Sequence, residues 1–339
     1  VSAPWIVQLE EPAAADVALV GGKGAGLQRL AALGARVPAG FVVTTAAFTA
    51  AVGAPEEVEA PLSSLAEDAP VDAVEDAAAQ ARAALAAAVR DTAGHDDVLA
   101  AVRKAYDVLG DGPVAVRSSA AAEDAADASY AGEHDSYLDV VGADAVADAV
   151  VSCWASLYTA RAVAYRRGRP AGAMAVVVQR MVAARAAGVF MTLNPANGDR
   201  ATFVCEAVWG LGEPLVSGLV TPDRFALNKI SGEVVRREVT HKPTRLGRGG
   251  TEPVPEPERD APCLTDDELA ELLRIGRAVE TAAGVPQDGE FAVDDLGVHL
   301  LQARPETVWS QRPRSVTGGR TALEAVLATL TSTGERHAP

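Results

Sequence analysis

Apolar and polar positions along this chain follow two periods, and the switches between them mark out the elements. Leu27, Leu30 and Leu33 recur at helical spacing after the run Gly21-Gly22-Lys23-Gly24-Ala25-Gly26. Residues 17–48 therefore read as loop, helix, turn and strand, with Val37-Pro38-Ala39-Gly40 breaking the helix before an apolar strand at 41–43. Residues 71–109 place Ala and Leu among charges at helical period, which predicts two helices hinged near Thr92-Ala93-Gly94. One continuous helix is expected over 144–167, with Val150, Trp154 and Leu157 inside. Thr265-Asp266-Asp267-Glu268 is a capping box opening another helix over 269–283. Short apolar runs at 114–116, 135–141, 175–179, 188–192 and 201–207 read as strands. Residues 224–228 and 234–239 flank a Ser231-Gly232 turn as a hairpin, and 291–304 reads as a second hairpin. Between these elements, 54–70 is a surface connection, 120–134 a small-residue loop, and 242–262 a mobile loop rich in Pro, Gly and charge. No internal repeat interrupts the pattern.

Composition narrows the picture. The 339 residues suffice for two average domains or one large two-lobed one, and 49% hydrophobic against 22% charged residues can bury a core. A net charge of −16 argues against a nucleic-acid surface, which wants dense Lys and Arg. No apolar run reaches the ~18 residues of a membrane span, and residues 1–16 lack the basic start and apolar core of a signal peptide. Cys153, Cys205 and Cys263 match no metal spacing and read as small core hydrophobes in a reducing cytoplasm. A cytosolic protein of mixed helix and sheet is expected.

Four features carry candidate chemistry. The glycines of 21–26 would let backbone N–H groups approach phosphate oxygens, with Lys23 adding a point charge; the Gly-x-x-x-x-Gly-Lys-Ser/Thr pattern does not fit, and a purely structural turn before a helix explains the run as well. Arg117-Ser118-Ser119, at the end of a short strand, is a candidate phosphate clamp or an ordinary surface turn. Asp288-Gly289-Glu290 and Gln302-Ala303-Arg304 are the most informative. If Asp295-Leu296-Gly297 forms a three-residue turn, Asp294 pairs with Val298, Glu290 faces Gln302 and Asp288 faces Arg304. Two carboxylates, an amide and a guanidinium then share one face, a donor set suited to Mg2+ beside a phosphate-binding Arg, or else a solvated face with an ion pair. His134, in the loop 129–134, is a fourth candidate, with an ordinary loop histidine as the plainer reading.

Taken together, these residues resemble the nucleotide-binding domain of the phosphoenolpyruvate synthase and pyruvate phosphate dikinase family, which includes rifampicin phosphotransferases. The similar stretches are VGGKGAGLQRLAALGARVPAGF from Val20, VAVRSSAAAEDAADASYAGEHDSYL from Val114, CWASLYTAR from Cys153 and VQRMV from Val178. GVFMTLNP from Gly188, EAVWGLGEPLVSGLVTPD from Glu206 and PQDGEFAVDDLGVHLLQARPE from Pro286 follow in the family's order. The resemblance implies an α+β, ATP-grasp fold whose two lobes clamp ATP, with an N-terminal lobe at 1–178, a C-terminal lobe with the metal-binding hairpin at 179–310, and a tail at 311–339. It further implies that Lys23 and Arg117 neutralise the triphosphate, that Gly132 and Ser136 belong to a loop closing over it, and that Gln179, Met181 and Val182 line the adenine pocket. Glu290 and Gln302 would be the Mg2+ ligands, Asp288 the neighbouring acid, Arg304 the γ-phosphate contact, and Glu206 an acid beside the nucleotide. Gly289, Phe291 and Ser136 depart from the residues usual at their positions; Gly289, replacing a branched apolar residue, is expected to loosen its strand.

The family's swivelling domain, with a Gly-Gly-x-x-Ser-His-x-Ala pattern, has no counterpart in these residues. The expectation is therefore an ATP-binding subunit of a dikinase-type phosphotransferase. It would phosphorylate a histidine on a separate phosphohistidine-domain subunit, with AMP and phosphate formed in the overall cycle, and the partner would pass the group to a small-molecule acceptor. A nucleotide-binding regulatory module, or an ATP domain excised from a larger synthase, is the alternative. Neither a nucleic acid nor a membrane is expected as a partner.

Overall fold

The computed structural model describes residues 3–63, 65–66, 69–92, 94–120, 136–166 and 171–309. In chain order the elements are β1 (Ile6–Gln8), α1 (Val17–Ala32), β2 (Gly40–Val43), α2 (Thr45–Val52), α3 (Pro55–Glu59), α4 (Val71–Asp91), α5 (Gly94–Leu109), β3 (Val114–Ser119) and β4 (Ser136–Val140). There follow α6 (Ala143–Ser156), α7 (Ala160–Arg166), β5 (Ala175–Arg180), β6 (Ala186–Met191), β7 (Thr202–Trp209), α8 (Glu213–Val216), β8 (Asp223–Asn228) and β9 (Val234–Glu238). The last are β10 (Thr244–Gly247), β11 (Gly250–Pro253), α9 (Asp266–Ala283), β12 (Gln287–Asp294) and β13 (Gly297–Pro305).

The strands form a five-stranded sheet, ordered β1-β2-β5-β3-β4, and a six-stranded sheet, ordered β13-β12-β6-β7-β8-β9. Both are antiparallel throughout. Strand alternation divides the first sheet's side chains between two cores. Val176 and Val178 of β5 join Phe41, Phe48, Leu85, Val102 and Trp154 in the core with α2, α4, α5 and α6. Ala175 and Val177 instead face α1, in a core that runs through Val20, Leu27 and Leu30 to Phe190, Phe203, Phe291 and Leu300 of the second sheet and Leu272 of α9. One helix, α1, therefore packs against both β5 and β13, and the two sheets share a buried core through it.

Most predicted elements are present, and the departures have local causes. The glycine run lies inside α1 rather than ahead of it: the helix breaks at Gly21 (φ 71°, ψ 177°) and resumes at once. A side chain on Gly21 would sit 1.9 Å from the Ser119 carbonyl oxygen, so only glycine lets α1 approach β3 here. The helix expected over 144–167 is two, because the Thr159 hydroxyl accepts from the Ala162 N–H and starts α7 afresh. The connection at 54–70 contains α3. The loop expected at 242–262 folds into the β10–β11 hairpin, with Gly247 opposite Gly250 across an Arg248-Gly249 turn. Its Leu246 carbonyl accepts from the Leu211 N–H at 2.8 Å, fastening the hairpin beside α8. The α9 capping box forms as predicted, and Gly284 ends that helix in the left-handed conformation.

Candidate functional site

The β12–β13 hairpin pairs Glu290 with Gln302 and Asp288 with Arg304, as the sequence predicts, but by a different route. Its turn has two residues, Asp295-Leu296, so Asp294 pairs with Gly297 rather than Val298. Continued unbroken, that register would set Glu290 against Leu301. A β-bulge between Glu290 and Phe291 takes up Leu301 and restores the Glu290–Gln302 pair. The bulge had a signal that pattern reading missed: Leu300-Leu301 interrupts the alternation of this strand. Leu300 goes to the core, while Leu301 packs with Val182, Ala187 and Ala292 on the other side of the sheet.

Those apolar residues floor a cleft of ≈ 240 Å³. Met181 and Val182 line it, as do Gln179, Ser136 and Arg117 from the first sheet and Glu290 from the second. Arg117 and Ser136 are direct cross-strand partners, and Gln179 faces Ala115 across β3 and β5, so a single face of the first sheet supplies them. Gln179 is buried, and its amide nitrogen donates to the Pro38 carbonyl at 3.1 Å. Glu213, at the start of α8, also lines the cleft and was not anticipated.

Charge concentrates where the two sheets meet. Arg117 Nη2 donates to Glu290 Oε2 at 3.0 Å and to Gln302 Oε1 at 3.1 Å, and Nη1 reaches the Leu301 carbonyl at 3.4 Å. Burial acts to raise the Glu290 carboxyl, but the Arg117 guanidinium, with help from Arg304 and Lys23, outweighs it and holds the group below its ordinary value. Lys23 lines a small enclosed space with Arg117, Leu301 and Gln302. Arg304 Nε donates to both Asp288 oxygens, at 2.8 and 3.1 Å. Burial nevertheless keeps Asp288 above its ordinary value, with Arg304 opposing the rise.

Lys23, Arg117, Glu290, Gln302, Asp288 and Arg304 are thus assembled around one hairpin face. Glu206 lies apart. It pairs across the sheet with Val189, the residue that separates it from Glu290, and its carboxylate is 3.6 Å from Arg224. Gly132 and His134 fall outside the described residues. Ser118 and Ser119 are buried and form no exposed clamp. The Ser119 hydroxyl donates to the Val20 carbonyl and accepts from the Gly24 N–H, while the Gly22 N–H bonds the Ala120 carbonyl. Two of the N–H groups that the glycine run was expected to offer to phosphate are therefore already satisfied within the chain.

The donor set also bears on a metal. No cluster of three or more His, Cys, Asp and Glu suited to an ion occurs among the described residues. Glu290 Oε2 and Gln302 Oε1, however, both accept from the same nitrogen, so two hard oxygens converge on one point. That fits a hard cation that completes its shell with water and phosphate oxygens.

An acid–amide pair with Lys and Arg around it lies beside an apolar cleft, an arrangement chemically suited to a phosphate-bearing ligand. Residues 17–322 match the pyruvate phosphate dikinase AMP/ATP-binding domain, and the chain belongs to that family. It is 44% identical over 317 residues to a rifampicin phosphotransferase of a Streptomyces species, covering 89% of this chain and 36% of that protein. A prodigiosin synthesizing transferase, PigC of Serratia marcescens, is 39% identical over 320 residues, covering 89% and 33%. A probable phosphoenolpyruvate synthase of Methanocaldococcus jannaschii is 37% identical over 324 residues, covering 90% and 27%. The chain spans about a third of the length of these curated relatives. Among the described residues no helix is long and apolar enough to cross a membrane.

Proposed function

We propose that the chain is the ATP-grasp half of a dikinase-type phosphotransferase, with lobes at 1–178 and 179–310 closing on Mg-ATP. The observation that carries this reading is the convergence of Arg117, Glu290 and Gln302 within 3.0–3.1 Å at the charged end of an otherwise apolar cleft. The base would lie against Met181, Val182 and Gln179, and the triphosphate toward Lys23, Arg117 and Arg304, with Ser136, which opens β4 opposite Arg117 rather than belonging to a loop, lining the same cleft. Glu290 and Gln302 would hold Mg2+, which supplies charge neutralisation of the phosphates. Asp288 would keep Arg304 aimed, and Glu206 would act at longer range. Phosphoryl transfer asks the protein mainly for positioning and electrostatics, and these residues provide both.

The acceptor in this proposal is a histidine on a separate phosphohistidine-domain partner, which relays the group to a small molecule; AMP and phosphate are the other products of the cycle. Membership of the dikinase ATP-binding family supports the reading, as do the phosphotransferase names of the relatives. Calorimetry with Mg-ATP and an AMP-release assay on the purified chain test it. Binding with little AMP release is expected. Absence of binding would overturn the nucleotide reading, and rapid AMP release by the chain alone would overturn the dependence on a partner.

A further inference from the structure

One guanidinium nitrogen satisfies both proposed metal-binding oxygens: Arg117 Nη2 lies 3.0 Å from Glu290 Oε2 and 3.1 Å from Gln302 Oε1. A divalent cation drawing on the same two oxygens would need the space and the charge that this nitrogen now provides. We propose that Arg117 is a built-in competitor for the divalent cation. A nucleoside triphosphate would relieve the competition by giving the guanidinium a second anionic partner, so that metal enters with nucleotide and not before it. This inference rests on reading Glu290 and Gln302 as metal ligands.

The surroundings make the competition strong. The Arg117 side chain is only 15% exposed, so bulk water cannot readily replace its partners. Among the described residues, the remaining hydrogen bond of its guanidinium goes to the Leu301 carbonyl at 3.4 Å and is long and neutral. Arg117 stands on β3 of the first sheet, whereas Glu290 and Gln302 stand on β12 and β13 of the second. Moving the guanidinium therefore breaks an ion pair joining the two sheets, and an anion in the cleft is the natural compensation. The bulge at Leu301 serves the arrangement, since it brings Gln302 level with Glu290 and leaves a backbone carbonyl beside the guanidinium. Lys23 and Arg304 add positive charge around Glu290 and further disfavour a cation arriving without phosphate.

Binding of Mn2+ alone to the full chain, followed by electron paramagnetic resonance of the free ion, tests the proposal without any turnover. Arg117→Met should bind Mn2+ about tenfold more tightly than the unaltered chain in the absence of nucleotide, a coupling of ordinary size between two ligands of one site. Arg117→Gln, the second neutral variant, should do the same, and Arg117→Lys, which keeps the charge, should stay weak. Adding a non-hydrolysable ATP analogue should strengthen Mn2+ binding more in the unaltered chain than in Arg117→Met. Equal nucleotide-free affinities in the unaltered chain and both neutral variants, verified as folded by circular dichroism, would overturn the competition and leave the metal site standing. Mn2+ binding that Glu290→Gln does not weaken in any chain, with or without the analogue, would instead remove the metal-ligand reading and this inference with it.

Discussion

Gly289 sits between the two acids of β12, and the sequence suggests that losing a branched side chain there loosens the strand. The structure gives a different account. A Cβ on Gly289 would come within 2.4 Å of the Phe190 ring, which is buried and stacks on Phe203 at 5.5 Å between centroids. The volume missing at Gly289 is supplied by its neighbour on β6. Gly289→Val should therefore destabilise the chain by about 1–3 kcal/mol through overpacking, read as a lower denaturation midpoint. Phe190→Leu in the same chain should recover part of that loss, so the double-mutant cycle carries a coupling energy. Strictly additive costs would mean that the ring does not occupy the glycine's space. At Glu290 the expectation is reversed. The side chain is polar, one-third exposed and opens no core cavity when changed, so Glu290→Gln should lower phosphotransfer far more than it lowers the melting midpoint. A collapse of the melt with activity per folded molecule unchanged would make Glu290 a structural acid.

At the scale of elements, the β12–β13 hairpin shows how a pairing can be read correctly from a mistaken turn. The sequence carries the period-two spacing of Asp288 and Glu290 and of Gln302 and Arg304, which any antiparallel register with the right offset brings together. It carries the offset only as a sum of turn length and bulge, and a three-residue turn gives the same sum as a two-residue turn plus Leu301. The helices were legible where side chains make the caps, as at Thr265 and Glu268. The break at Gly21 was not legible, because what crowds that position is the distant Ser119 carbonyl, and nor was the β10–β11 hairpin, which a Leu211–Leu246 hydrogen bond far apart in sequence fastens to the rest of the chain. The two-residue turn has its own test. Asp294 Oδ1 accepts from the Leu296 N–H at 2.8 Å and lies 2.9 Å from His299 Nε2. Burial acts to raise this carboxyl, but the His299 and Leu296 contacts prevail and hold it below its ordinary 3.8. A lowered carboxylate contributes stability that is complete above the unfolded value and is lost as pH falls through the folded one. Asp294→Asn should thus cost about 1 kcal/mol near neutral pH, and the gap between the two melting midpoints should narrow below pH 3.8. A gap independent of pH would show that the carboxylate charge does not hold the turn.

Over the whole molecule, charge is used in two opposed ways, and the contrast separates what holds the second sheet together from what works in the cleft. At Arg117 and Glu290 the charged groups are half-buried, join the two sheets and line a cavity. At Asp223 they are sealed. This acid is fully buried at the start of β8, where Oδ1 accepts from Lys242 Nζ at 2.6 Å and from the Thr240 N–H at 2.8 Å, and Oδ2 accepts from the Cys263 N–H at 2.9 Å. Its partners come from the segments that enter β10 and α9, so one carboxylate ties the β10–β11 excursion back to the sheet. Burial, together with Asp223, also pushes the adjacent Cys263 thiol up, so that thiol stays protonated and inert. Breaking a buried pair from one side leaves the other charge stranded, which typically costs about 3–5 kcal/mol. Asp223→Asn should accordingly show a large fall in the denaturation midpoint, with Lys242 left buried beside a neutral amide. Below the unfolding transition, calorimetry should return an unchanged nucleotide affinity, because Asp223 is held by Thr240, Lys242 and Cys263, none of which lines the cleft. Glu290→Gln should give the mirror image, a near-native midpoint with metal-dependent nucleotide binding impaired. If Asp223→Asn instead weakened nucleotide binding in chains that remain folded, the β10–β11 excursion would be coupled to the cleft through Leu211, and the separation between sealed and working charge would fail.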